Sequence, residues 1–238
     1  MTVPLESKSL TDSLTDALRK EVISGRIAPG EKLSEIWVAN RFTVARPTAK
    51  AGLDRLTNEG ILRRGPRRSA VVPILSSDDV SDLYFSREPV ESSAVTTLAR
   101  SKQVPMDAER ALALMRIAAE HDQHAEHTEA DVALHRALVS AAGSERLRRM
   151  HETVMGETQL CIAQVRAHEG VDLMELTDRH AKILEAIRSG DPIAAVEALK
   201  ADLHSCRDTL LLDIETLSQR LAPAVQDQEP GEDRDQTA

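Results

Sequence analysis

From Ser77 onward the apolar residues recur at helical spacing, and the alternation of a half-buried strand is nearly absent. The pattern breaks at Gln103-Val104-Pro105, His121 to His127, Gly143-Ser144, Glu169-Gly170 and Ser189-Gly190-Asp191-Pro192. These breaks predict about six helices, at 78–102, 106–121, 126–142, 144–168, 171–188 and 191–219. An all-helical antiparallel bundle is the simplest way to bury their apolar faces. Residues 221–238 are polar and acidic, have little to bury, and read as a disordered tail.

Residues 24–73 follow a different rhythm, reading as a helix, a turn, a second helix, a third helix and a basic hairpin. Ser34 is placed to cap a short helix with apolar positions Ile36, Trp37, Val38 and Ala39, which Thr43-Val44-Ala45 then ends. The next helix buries Ala49, Leu53 and Leu56 and turns Arg46, Lys50 and Arg55 to another side. Arg63-Arg64-Gly65-Pro66-Arg67-Arg68 forms a basic hairpin behind it. The fold class is therefore mainly α: a winged helix-turn-helix over residues 1–75, a helical bundle over 76–220, and a tail over 221–238.

Charge sharpens this division. The chain has 30 Lys and Arg against 39 Asp and Glu, an acidic balance that by itself argues against a nucleic-acid partner. Residues 1–75, however, hold 13 basic and 8 acidic side chains, whereas the rest hold 17 and 31. Such asymmetry suits a DNA-binding head on a body with another task. No apolar run approaches the roughly 20 residues of a membrane span, and no secretion signal opens the chain, so a cytoplasmic location is expected. Cys161 and Cys206 make neither a metal motif nor a disulfide framework and read as reduced thiols in or near the core.

Several titratable residues fall on apolar faces of the bundle. Asp131 and His135, four positions apart, share a helix face with Leu134 and Leu138, where a carboxylate and an imidazole are costly unless something binds them. His180 lies among Leu176, Ile183, Leu184 and Ile187, a setting more often occupied by a satisfied core histidine than by a ligand. Arg87 stands on a stripe with Leu83, Val90 and Ala94, and Pro89 in the same helix is a candidate kink. His121, His124 and His127 occur in a junction rich in Glu, Asp and Gln and read as a solvated connection. No nucleophile elbow, phosphate loop or HExxH pair is present, so nothing points to an enzyme.

Taken together, these motifs resemble the GntR superfamily of transcription regulators, FadR type. Its pattern I-x-x-G-x-(I/L)-x-P-G-x-x-L-x-E is matched from Ile23 to Glu35. Its regulatory half, called FCD, is matched by Leu83-Tyr84-Phe85-Ser86-Arg87-x3-Glu91, by Asp131-x3-His135, and by His180-x2-Ile183-Leu184-x-Ala186-Ile187-x2-Gly190-Asp191. The resemblance covers about residues 8–215. It implies a homodimer that binds a palindromic double-stranded DNA operator, with the third helix in the major groove and the wing along the minor groove. The residues it points to are Arg46, Thr48 and Lys50 on that helix and Arg67 and Arg68 on the wing. An arginine can grip guanine bidentately, a lysine supplies a point charge, and wing arginines mainly set affinity and its salt dependence.

Departures from the family pattern are concentrated in the head. Ala45 stands where a capping Ser is usual, Gly52 interrupts the third helix at about 1 kcal/mol relative to Ala, and Pro47 is tolerated because it falls in the first turn. Ile36 replaces a frequent DNA-contacting Arg, and Ser69 the usual wing glycine. These changes sustain an alternative reading: a metal- or ligand-binding helical protein with weak or non-specific DNA binding.

In the body the resemblance makes Asp131, His135 and His180 ligands of a divalent metal, Zn²⁺, Ni²⁺ or Mn²⁺. The family's fourth ligand is a histidine eleven positions past the Gly-Asp, where this chain has Asp202. Asp202 flanks small residues Ala195, Ala198 and Cys206, and His204 is the weaker alternative because two residues along a helix turn about 200°. The resemblance also places Arg87 near a small carboxylate effector; a plain salt bridge with Glu91 is an equal reading. The function expected is a one-component regulator, in the sense of a repressor, released from its operator by an organic acid.

Overall fold

A computed structural model of the chain describes residues 9–65, 69–165 and 171–226, with side chains as far as residue 216. Helix α1 (Leu10–Ile23) opens on a capping box in which Ser9 and Asp12 satisfy each other's backbone N–H. Its buried residues Leu14, Leu18 and Val22 repeat every four positions and form one face. Strand β1 (Lys32–Leu33) leads to α2 (Glu35–Phe42), capped by Ser34 Oγ accepting from the Trp37 N–H at 3.1 Å. Thr43 ends α2 in the left-handed region, φ 53°.

Helix α3 (Arg46–Asn58) begins at Ala45 without a side-chain cap and carries Pro47 in its first turn. Packing explains Gly52: a Cβ there would stand 3.1 Å from Leu14 Cδ2, so the bare backbone lets α1 lie close against α3. Strands β2 (Arg63–Arg64) and β3 (Ala70–Val71) complete a small antiparallel sheet in the order β1-β3-β2, with Lys32 opposite Val71 and Arg63 opposite the same residue. Arg67 and Arg68 lie outside the described residues.

The body comprises α4 (Ser77–Ser101), α5 (Met106–Glu120), α6 (His124–Ala141), α7 (Glu145–Val165), α8 (Leu173–Ser189) and α9 (Pro192–Gln226). Helix α4 continues through Pro89. Helix α8 closes on Gly190, whose φ of 82° gives the left-handed C-cap that glycine adopts without strain. Helix α9 outruns its expected end at 219, so the stretch from 221 to 226 is helical rather than part of a tail. Leu210 is fully buried, and Leu211 and Ile214 pack on the core, which anchors that extension; a nucleated helix then propagates at little further cost. Residues 227–238 of the expected tail lie outside the described residues.

One continuous hydrophobic core runs from Leu18 and Leu56 in the head to Leu134, Leu160 and Ile183 in the body. At the junction, α7 lies against the end of α3. Thr153 Oγ1 donates to the Asn58 carbonyl at 3.0 Å, and Arg63 pairs with both Asp79 (2.9 Å) and Glu157 (3.2 Å). Among the described residues no helix is long and apolar enough to cross a membrane.

Candidate functional site

Five helices bring charged side chains to one buried place. Helix α6 presents Asp131 and His135 on one face, α8 adds His180, α9 adds Asp202, α4 adds Arg87 and Glu91, and α7 adds His151. Except for Asp131, whose side chain is 13% exposed, these residues are at most 3% exposed. Apart from this cluster and a few other polar residues, the interior of the body is apolar, and a charge can stay there only if another group compensates it.

The hydrogen bonds fix both imidazoles. His180 Nδ1–H donates to the Leu176 carbonyl at 2.8 Å, one helical turn back, and His135 Nδ1–H donates to Glu91 Oε2 at 2.6 Å. Each ring therefore turns its Nε2 toward the centre. There the two Nε2 atoms are 3.2 Å apart, with the rings edge to face at 77°. Asp131 Oδ1 lies 2.6 Å from His180 Nε2 and 3.8 Å from His135 Nε2. Asp202 Oδ2 lies 3.6 Å from both. Ligand atoms of Asp131, His135 and His180 all fall within 4.8 Å of one another, which makes the group a possible metal-holding set.

Two imidazole lone pairs cannot face each other at 3.2 Å beside two carboxylates without a proton or a cation between them. Held by protons alone, the cluster binds them tightly. Burial opposes charge on His135, but Glu91 and Asp202 outweigh it and raise its pKa to about 10. His180 is raised in the same way, against burial, by Asp202 and Asp131. Asp131 is held far below the usual carboxylate range despite burial, chiefly by His180, and Asp202 is lowered by the same histidine. A divalent cation is the natural competitor for such protons.

His204, two positions past Asp202, points away from the cluster and meets Glu88 Oε2 at 2.8 Å on the outer surface. Asp202 Oδ1 faces Arg179 Nε at 3.9 Å, which leaves Oδ2 for the centre. Arg87 Nε donates to Glu91 Oε1 at 2.7 Å, and its guanidinium lies 4.9 Å over the Tyr84 ring. The salt bridge that the sequence allowed for Arg87 is thus formed. Tyr84 Oη donates to Cys206 Sγ at 2.9 Å; burial first, then Asp131 and Asp202, push the Cys206 thiol up to about 12. Cys161 and Cys206 are both free.

His151 was not singled out from the sequence. Its Nε2 lies 3.0 Å from Glu91 Oε1, so Glu91 serves Arg87, His135 and His151 at once. The signal was present in its spacing with Met155, Thr158 and Ile162, all buried on α7. The junction histidines need a correction. His121 is exposed, but His127 is 1% exposed, with Nε2 3.0 Å from Thr177 Oγ1 on α8.

On the head, Arg46 and Lys50 are exposed on α3 and Thr48 is half-buried between them. Lys50 pairs with a neighbour on its own helix, Asp54 at 3.0 Å. Arg55, which the sequence grouped with them, is instead bound to Glu59 at 3.0 Å and to Asp12 on α1. Ile36 is 51% exposed at the start of α2.

Comparison with known proteins gives these two regions separate matches. Residues 82–205 match the FCD domain, and residues 10–72 match the bacterial regulatory proteins of the gntR family. The gluconate operon transcriptional repressor of Bacillus subtilis (strain 168) is 25% identical over 197 residues, covering 80% of this chain and 81% of that protein. The HTH-type transcriptional repressor RspR of Escherichia coli (strain K12) is 25% identical over 199 residues, covering 81% and 85%. Among solved structures, a putative transcriptional regulator GntR from Rhodococcus sp. RHA1 shares the fold with a TM-score of 0.72 at 23% identity, over 84% of this chain and 97% of that one. E. coli McbR/YncC gives 0.66 at 18% identity, over 93% and 99%.

Proposed function

Since the chain belongs to the GntR family of bacterial regulatory proteins and carries an FCD domain, we propose that it is a metal-dependent, effector-controlled repressor acting as a homodimer in the cytoplasm. That it is a DNA-binding transcription regulator and not an enzyme follows from the family itself. The finer reading adds a palindromic operator contacted by Arg46, Thr48 and Lys50, with Arg67 and Arg68 of the wing on the flanking backbone.

The observation that carries the reading is the convergence of two locked Nε2 atoms with Asp131 Oδ1 and Asp202 Oδ2. Asp131, His135, His180 and Asp202 would hold one divalent ion, and this nitrogen and oxygen set suits Zn²⁺, Ni²⁺ or Mn²⁺. Asp202 replaces the family's histidine with a harder, anionic donor. A bound ion would supply positive charge and open coordination positions for one carboxylate of an organic acid. Arg87, its Nε committed to Glu91, would offer its terminal nitrogens to the same ligand. Regulation then requires the ligand to bind two dimer arrangements with different affinity.

The test is selection of bound duplex from a random pool at near-physiological salt, with and without Zn²⁺. The expected result is an enriched palindrome with half-sites about one helical turn apart. Failure to enrich under either condition would overturn the operator reading and leave a ligand-binding protein with weak DNA affinity. Zn²⁺ titration tests the centre separately: Asp131→Ala should lower affinity by at least the ~10- to 100-fold that loss of a supporting outer partner costs.

A further inference from the structure

Helix α7 has two working faces. His151 and Thr153, two positions apart, point about 200° away from each other around the helix. The inward face consists of His151, Met155, Thr158 and Ile162, each at most 3% exposed. The other stripe, Thr153, Gly156, Glu157 and Gln164, follows the three- and four-residue spacing of a single helix side. Every one of these four positions touches the head or the segment joining it to the body.

The interactions on that stripe are close and directional. Thr153 Oγ1 donates to the Asn58 carbonyl at the last residue of α3, 3.0 Å away. At Gly156 an added Cβ would fall 1.6 Å from the Glu59 carbonyl oxygen, so only glycine lets the end of α3 approach. The fit is reciprocal: Gly60, at φ 78°, faces Thr153, and a Cβ there would come within 2.5 Å of the Thr153 carbonyl oxygen. Glu157 binds Arg63 at the start of β2. Gln164 donates to the Pro73 carbonyl at 2.6 Å and accepts from the Leu75 N–H at 3.3 Å.

We propose that α7 is the element that transmits the state of the buried centre to the DNA-facing helix, with Glu91 and His151 as positioning residues. This rests on the reading of the centre as a metal site. The route is short: His135 to Glu91 at 2.6 Å, Glu91 to His151 at 3.0 Å, two residues along α7 to Thr153, and Thr153 to the end of α3. A shift of the His135 ring along its Nε2 direction moves the carboxylate that His151 also holds. Because the head rests on the opposite face of the same helix, a roll or slide of α7 re-aims α3 and the Arg46 and Lys50 side chains at its far end. Bare glycines on both sides make the joint tight enough to follow small displacements.

The experiment uses the full chain, Zn²⁺ as the probe and the duplex recovered by random-pool selection. Zn²⁺ affinity, duplex affinity with and without Zn²⁺, and hydrogen exchange over residues 56–61 are measured for wild type, Thr153→Val and Gly156→Ala. Thr153→Val keeps the shape and removes the hydrogen bond, so it remains informative if Gly156→Ala disturbs folding. In wild type, Zn²⁺ is expected to change duplex affinity about fivefold or more and to alter exchange at 56–61. In the variants, Zn²⁺ affinity should stay the same while that dependence shrinks to within about twofold. An equal Zn²⁺ effect in wild type and both variants overturns the route through α7 and leaves the centre standing. Zn²⁺ binding that leaves wild-type duplex affinity unchanged also overturns it. No Zn²⁺ binding in wild type brings down the reading of the centre, and the proposal with it.

Discussion

On the head, Arg46 and Lys50 stand in solvent, and Lys50 pairs with Asp54, a neighbour one turn along the same helix. In the body, Arg87, Glu91, His135, His151, His180 and Asp202 are each at most 3% exposed, and every one of them meets another. On the proposed reading, the exposed set would gain its energy from DNA outside the molecule, so its members can be replaced one at a time without harm to the fold. The buried set is tolerated because it is closed. Removal of one member leaves the others as charges without compensation in a poorly polarisable interior.

The sharpest way to break this contrast is Glu91→Gln. Burial resists the charged carboxylate, yet Arg87 and His135 hold its pKa well below the usual range and so favour the anion. Gln keeps the shape and removes the charge that Arg87 requires. The expected loss is about 3–5 kcal/mol of stability, as for other buried pairs deprived of one partner. Chemical denaturation checks it through the midpoint at unchanged slope. A loss below about 1 kcal/mol would mean that the buried set is not closed in the sense described.

The head supplies the opposite case. Arg46→Ala with Lys50→Ala should leave the unfolding midpoint in place and reduce affinity for the selected duplex by about 100-fold, from ~1–3 kcal/mol for each base-reading side chain removed. The salt slope of binding should also flatten by about one unit for each phosphate that is no longer neutralised. Arg55→Ala should do the reverse. Its bond to Asp12 ties α3 to α1 and its bond to Glu59 stays at the end of α3, so it should cost the head about 1 kcal/mol or less and leave duplex affinity nearly intact. Equal effects of the two variants on binding would place Arg55 at the DNA surface and dissolve the distinction between structural and recognition charges on α3.

Much of this arrangement was legible because it is local. The cap at Ser34, the buried spacing of Ala49, Leu53 and Leu56, and the pairing of Asp131 with His135 each lie within two turns of chain. That Asp202 lies inside and His204 outside followed from the family's spacing, the small residues beside Asp202 and the angle of a helix. What escaped depends on partners far away in sequence. His151 looks like any histidine on an apolar stripe until α4 brings Glu91 to it, 60 residues distant. Arg55 looks free until Asp12 arrives from 43 residues away. His127 was misjudged because its neighbours in sequence are polar, whereas its neighbour in space is Thr177 on α8. Gly52 reads as a helix weakness, although it is the point where the Leu14 side chain must come close.

Asp79 lies between the two regimes, at the seam, and its effect should be the smallest. Its carboxylate accepts from Ser76 Oγ at 2.6 Å and the Ser76 N–H at 2.9 Å, capping α4, and pairs with Arg63 of the head at 2.9 Å. Hydrogen bonds from the Ser76 side chain, then its backbone, then Arg63 lower the pKa from 3.8 to about 2. Because the folded value lies below the unfolded one, the unfolded chain binds more protons between these two values. The stabilisation is complete above about pH 4 and is lost as pH falls through about 2. Asp79→Asn should cost about 1 kcal/mol near neutrality, the usual size of an N-terminal cap, reduced by whatever solvent screening removes from the Arg63 pair. The difference between wild type and variant in denaturant midpoint should close as pH is lowered from about 5 toward about 2. A difference that stays constant over that range would show the carboxylate titrating as it does in the unfolded chain, and would place Asp79 with the exposed charges of the head rather than with the closed set of the body.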